Sequence, residues 1–238
     1  MGPLILIAAG LVVLSAGVGV LLSYGARYRV GRLLAATPKV SVGEALEVAR
    51  AGRPRYVRVD GRIDSEEDFP DEHHRPLVYR RQRLEVRRGG RWDTIEEDLR
   101  QVPFEVREGL DGIGVDARAL DQGLVVLPRE SVGTAGEVPD RVPAGTSAAT
   151  PVRMRIDQIS AVEHAVILGV PIADGSTARM TRGLGRPLVL TTLEVPEAMR
   201  VLGSGSGARP LVAAACLTGG LVLLTAGLGW AVISAVAS

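Results

Sequence analysis

Hydrophobic and polar positions divide this chain into an apolar start, a patterned middle and an apolar end. From Met1 to Ala26 no side chain is charged, and PLILIAAGLVVLSAGVGVLLSY is long enough to cross bilayer hydrocarbon at about 1.5 Å per residue. Pro210 to Ser238 is also uncharged, and Trp230 lies toward its far end, where an indole suits a membrane interface. The pattern predicts transmembrane helices at 1–26 and 210–238, joined to the middle by linkers at 27–40 and 204–209. A cleaved signal peptide would show a basic start and a shorter apolar run, and the first segment has neither. Gly219, Gly220, Ala226 and Gly227, with Ser15 and Gly19 in the first helix, would let helices approach closely, which makes oligomerisation through small-residue faces an option.

The middle, 41–203, changes period. Ser41 with Glu44 three residues on forms a capping box ahead of an apolar stripe, Val42, Ala45, Leu46, Val48 and Ala49, and Gly52 can end that helix. YVRVDGRID then alternates, with Tyr56, Arg58 and Asp60 on one face and Val57, Val59 and Gly61 on the other, as a strand does. SEEDFPDEHH reads as a polar loop. Further strands are expected at QVPFEVRE, GIGVDARAL, GLVVLP, AVILGVPIAD, TARMTR and RPLVLTTLEV, and a short helix from Pro196. Residues 131–151 turn to Gly, Pro, Ser, Thr and Ala and read as a loop without a core-forming pattern. The expectation is an α+β, β-rich, membrane-adjacent domain between two transmembrane helices. YVRVDGRID before RPLVYRRQRLEV echoes AVILGVPIAD before RPLVLTTLEV, so a repeated small β unit and a coincidence of β-formers stand as equal alternatives.

RRQRLEVRRGGRW concentrates positive charge. Gly89-Gly90 is a two-residue hairpin signal, and a turn there places Arg83 opposite Glu96, Arg81 opposite Asp98, Glu85 opposite Thr94 and Arg87 opposite Trp92. Most of this charge is thereby neutralised on a solvent-facing strand pair. Arg80, Arg88 and Arg91 keep no acidic partner in that register and are the candidate anion-binding residues, for phosphate on lipid or nucleic acid. Nucleic acid is disfavoured, because a sheet that binds RNA would show stacking aromatics and Tyr79 and Trp92 are few.

Composition narrows the chemistry. Basic and acidic residues number 28 and 27, for a net charge of +1, so no global field draws a polyanion. Cys216 is the single cysteine, which excludes an internal disulfide and a cysteine-based zinc cluster. His73 and His74 are neighbours whose side chains diverge on extended backbone, and His164 near Glu163 and Ser160 lacks a nucleophile elbow. No spacing selects a catalytic, metal or cofactor-binding residue, and the expected cofactor set is empty. Arg27, Arg29 and Arg32 after the first span, with Arg200 and Arg209 before the second, place the middle in the cytoplasm by the positive-inside rule.

The order of an N-terminal span, YVRVDGRID, RPLVYRRQRLEV, the tryptophan after the hairpin, VPFEVREGLDGIGVDA, HAVILGVPIAD and a second span resembles the MULAN/GIDE family of RING-type E3 ubiquitin ligases. The resemblance implies that the middle is a BAM ("beside a membrane") domain. In that family a zinc-binding RING follows the second span; this sequence ends at Ser238, so no catalytic position is carried over. The expected role is a non-catalytic module of a prokaryotic-type plasma membrane. Its expected partners are the lipid bilayer and an unidentified protein, and a ligase-like component served by a RING on another chain is the alternative.

Overall fold

Ser41 starts the folded body as its spacing predicts. Its hydroxyl accepts from Glu44 N at 3.1 Å while Glu44 Oε2 accepts from Ser41 N at 2.9 Å, closing the capping box. The computed structural model describes the backbone at 2–120, 123–203 and 209–236, and within these all side chains except those at 2–3, 21–28, 209–210, 233 and 235–236. The expected linker 204–209 therefore lies almost wholly outside the described residues, as do the side chains of Arg27 and Arg209.

In chain order the elements are α1 (Gly2–Ala36), α2 (Val42–Arg50), β1 (Val57–Asp64), β2 (Phe69–Pro70), β3 (Pro76–Arg88), β4 (Arg91–Gln101), β5 (Glu105–Glu108), β6 (Asp111–Val115), β7 (Leu124–Val125), β8 (Arg129–Thr134), β9 (Pro151–Ser160), β10 (His164–Asp174), β11 (Thr177–Thr181), β12 (Val189–Thr191), α3 (Val195–Gly203) and α4 (Arg209–Val236). The fold is mixed α+β and β-rich. Two units emerge, one formed by Leu33–Ala198 and one by Met1–Arg32 with Met199–Ser238. The segment expected as a linker at 27–40 is mostly helix, because α1 continues to Ala36.

In the β unit, β1 pairs with β5, β5 with β6, β6 with β11, β11 with β10, and β10 returns to β1. These five strands close a barrel in which only the β6–β11 contact is parallel. A closed barrel of this kind fixes no function by itself. β12 and then β7 extend the sheet from β10. Along β1, residues alternate between buried and more exposed, and Val57, Val59 and Ile63 enter the core with Ile113, Ile167 and Met180. Helix α2 lays Val42, Ala45 and Ala49 against the same core and touches every barrel strand.

The two halves of the sequence echo do not form two like units. YVRVDGRID and AVILGVPIAD become β1 and β10, which pair with each other in the barrel. Their followers diverge, since RPLVYRRQRLEV builds β3 of a second sheet and RPLVLTTLEV builds β12 of the first.

The second sheet runs β4-β3-β9-β8, with β2 beside the start of β3. The SEEDFPDEHH segment contributes more than a loop, because Phe69 in β2 is buried. The expected loop 131–151 is also partly structural. It begins in β8 and continues in two 3-10 turns, Ala135–Glu137 and Pro139–Arg141. Ala135, Val138 and Val142 pack on Leu84, Val86 and Val152 to make a second small core. Their irregular spacing hides this role, since no strand or helix period links them.

The helical unit is built from small residues turned inward. A Cβ added at Gly10 would meet the Gly220 carbonyl oxygen at 3.0 Å, and one at Gly17 would meet Cys216 Cβ at 3.0 Å. A Cβ at Gly227 would meet Ile7 N at 3.1 Å. Rising numbers in α1 thus meet falling numbers in α4, and the helices are antiparallel. Gly10 and Gly17 on one side, and Ala213, Gly220 and Gly227 on the other, recur every seven residues and are buried. That period keeps one stripe on the partner helix. Of the expected small contacts, Gly220 and Gly227 lie in the seam. Gly19 and Gly219 meet nothing within 4 Å, Ala226 is exposed, and the Ser15 hydroxyl donates back to Leu11 O.

Among the described residues one stretch, Leu211–Val232 of α4, is long and apolar enough to cross a membrane. In α1 the corresponding apolar stretch is the shorter Leu4–Val20. Of the expected first span at 1–26, the side chains at 1–3 and 21–26 lie outside the described residues. One spanning-length helix, rather than two, is thus present in what is described.

Candidate functional site: a charged sheet face and an arginine-tipped hairpin

The turn at Gly89-Gly90 forms as expected, with φ of +53° and +80°. Two successive positive φ values suit a tight hairpin turn and disfavour residues with a Cβ. Near the turn the register is the expected one, Glu85 facing Thr94 and Arg87 facing Trp92. Then Ile95 is extra. Leu84 faces Glu96 where Glu85 faced Thr94, so a bulge moves every later pair by one position. Arg83 stands opposite Glu97 and Arg81 opposite Leu99, not Glu96 and Asp98.

Neutralisation comes from the other neighbouring strand. Across β3 and β9, Arg83 faces Arg155 and Arg81 faces Asp157. Asp157 is 3% exposed and gathers three guanidinium groups: Arg83 Nη2 at 2.6 Å, Arg155 Nε at 3.4 Å and Arg81 Nε at 3.7 Å. Glu85 is also buried and accepts from Arg153 Nε at 2.8 Å. Glu130 of β8 links the two halves, 3.5 Å from Arg153 and 3.4 Å from Arg155. Four arginines and three carboxylates therefore alternate over one face. The cation above the Trp92 ring is Arg153, 4.6 Å from its centroid, rather than Arg87. Glu96, released by the bulge, takes both arms of Arg141 at 2.9 Å, which holds its carboxyl below the usual glutamate range.

The three candidate anion-binding arginines are not one cluster. Arg88 and Arg91 face each other across the turn and are exposed. Arg80 lies eight residues back along β3, roughly 26 Å away at the usual strand rise. It is 3.4 Å from Asp98 Oδ2, a partner the unbulged register did not offer.

Elsewhere polar groups serve structure. Asp71 Oδ1 accepts from His73 N at 2.7 Å and Arg75 N at 2.9 Å, and its Oδ2 holds the Arg75 side chain, so its pKa falls to about 2, with the Arg75 backbone bond foremost. Ser160 Oγ donates to Pro76 O at 3.0 Å and is not aimed at His164. Tyr56, buried, donates to Pro187 O at 2.8 Å, and burial raises its pKa despite Arg186 over the ring.

No protein-family model, curated protein or solved structure matches the chain.

Proposed function

We infer that this chain is a membrane-tethered interaction module: α1 and α4 lie together in lipid, and the β body between them presents a contact surface to a protein partner. The observation that carries this reading is the inverted packing of the helical unit. Glycines fill the seam, while Leu4, Ile5, Leu11, Val12, Leu211, Leu221, Val222 and Leu228 point outward. In water a helix pair buries its large apolar side chains and exposes polar ones, whereas lipid rewards close backbone approach and tolerates outward leucine. Paired with α4, the shorter apolar stretch of α1 shares the same environment.

The element order of helix, β-rich body and helix supports reading the body as a BAM-like domain, in keeping with the resemblance drawn from the sequence. Arg29 and Arg32, which follow the first apolar segment in sequence, and Arg200, which precedes the second, are exposed, which favours a cytoplasmic body in a prokaryotic-type plasma membrane. Carbonate washing of membranes from cells expressing the full chain tests the anchoring, with retention in the pellet expected. Crosslinking in those membranes then tests the partner; an interaction module gives discrete adducts that disappear when the body, and not the helices, is altered.

A second reading has its own observation. Arg88 and Arg91, juxtaposed and exposed at the hairpin tip, suit the phosphate of an anionic lipid. Loss of binding to anionic vesicles on changing both arginines, with a steep salt dependence, would favour it.

A further inference from the structure

Where the parallel contact between β6 and β11 meets the end of β4, the β body holds a cavity of about 420 Å³, a size that takes a small organic ligand. Gln101, Asp116, Arg118 and Arg179 supply its polar lining, and Val102, Val115 and Ala117 its apolar part. Two of these polar groups are incomplete. Gln101 Oε1 and Arg179 Nε are both buried without a hydrogen-bond partner among the described residues. The carboxylate nearest Arg179 Nε, Asp174 Oδ2, stands at 3.6 Å, an ion-pair separation too long for a hydrogen bond. Asp116 is occupied, because its Oδ2 accepts from Thr181 Oγ1 at 2.8 Å. Arg118 is exposed. The lining therefore holds two guanidinium groups and one carboxylate, with Asp174 paired to Arg179, and it includes a buried acceptor and a buried donor that lack hydrogen-bond partners among the described residues.

Buried polar atoms without partners are rare in folded proteins and call for water, an ion or a ligand. A simple inorganic anion would satisfy the arginines and leave Gln101 Oε1 without a donor. A ligand that completes both carries an acceptor for Arg179 and an N–H for Gln101, within the span of one cavity. The geometry points to a binding site for an acylated amino-acid carboxylate with an aliphatic side chain. The carboxylate accepts from Arg179 and Arg118, the adjacent amide N–H donates to Gln101 Oε1, and the side chain lies against Val102, Val115 and Ala117. A guanidinium pair suits a planar carboxylate, and charge-assisted bonds of this kind are stronger than neutral ones. A free N-acyl amino acid and the C-terminus of a peptide share this chemistry.

The test titrates the full chain in lipid nanodiscs by calorimetry. The probes are N-acetylleucine and the peptide N-acetyl-Ala-Ala-Leu, each as free acid and as C-terminal amide. Saturable binding of at least one acid, about tenfold or more above its amide, is expected. Saturation by N-acetylleucine alone identifies a free small molecule, and saturation by the peptide alone identifies a chain terminus. Arg118→Met, at an exposed position, and Gln101→Leu are each expected to weaken that binding about tenfold, with far-ultraviolet circular dichroism and melting unchanged for the Arg118 variant. Equal binding of acid and amide, or no saturable binding of either acid, overturns the proposal. So does binding that is indifferent to the Arg118 change.

Discussion

Asp157 on β9 holds Arg83 on β3 at 2.6 Å, and the carboxylate is almost wholly removed from solvent. The pair lies 74 residues apart in sequence, yet it decides why the arginine-rich strand does not present a free cationic face. Burying a carboxylate is tolerable only where several cations and hydrogen bonds replace water. Arg81, Arg83 and Arg155 provide that replacement here.

Asp157→Ala removes the shared counter-charge and leaves three guanidinium groups crowded together. A loss of about 3–5 kcal/mol is expected, as for other broken buried ion pairs. Glu96→Ala, which breaks the exposed pair with Arg141, is expected to cost no more than about 1 kcal/mol. Chemical denaturation of the two variants side by side checks the contrast. Equal stabilities would mean that the charged face carries no structural weight.

Ser41→Ala deletes the hydroxyl that accepts from Glu44 N at the start of α2. The expected cost is about 1 kcal/mol, and Ser41→Gly should recover most of it. Thermal unfolding measures both. Because α2 packs on all five barrel strands, the loss appears in the melting of the whole β unit and not as local fraying.

Asp71 gives a pH signature. Its pKa of about 2 lies below the ordinary 3.8, so its bonds to His73 and Arg75 stabilise the folded form above the unfolded value. That contribution is lost as pH falls through the folded pKa of about 2. Carboxyl chemical shifts followed by NMR are expected to place its midpoint near that value, and Arg75→Ala to raise it. An unperturbed midpoint in the starting protein would contradict the turn geometry.

Gly220→Leu places a branched side chain where Leu14 N would lie 2.9 Å from the first added carbon. The two helices must part. Gly219→Leu, on the same helix but with open space around it, should leave them in place. Disulfide formation between Cys216 and a cysteine introduced at Gly17 reports the difference, falling sharply in the first background and persisting in the second.

Local chemistry was readable in the sequence; long-range partnership was not. The Ser41–Glu44 box, the Gly89-Gly90 turn and the alternation of β1 follow from residues within a few positions of one another, and each stands in the structure. One residue, Ile95, defeated the hairpin register beyond Leu84, because an extra residue in one strand leaves no mark on its hydrophobic period. Asp157 could not be identified as the partner of Arg83, since β9 is joined to β3 only through the fold. The helix seam shows the same division. Small residues were evident in both apolar segments, but only the seven-residue spacing of Gly10 with Gly17, and of Gly220 with Gly227, distinguishes those that touch from Gly19 and Gly219. Gln101 and Arg179 drew no notice in the sequence because each belongs to an ordinary strand, and the cavity joins them only after the barrel closes.

The most direct measurement concerns the outward face of α4. A spin label at Val222, in a Cys216→Ser background and native-like bilayers, is compared for collisions with oxygen and with a water-soluble nickel chelate. Frequent oxygen collisions and few nickel collisions are expected if this exposed valine faces acyl chains. Collisions dominated by the nickel chelate would put this face in water, and the paired helices would not be a lipid anchor.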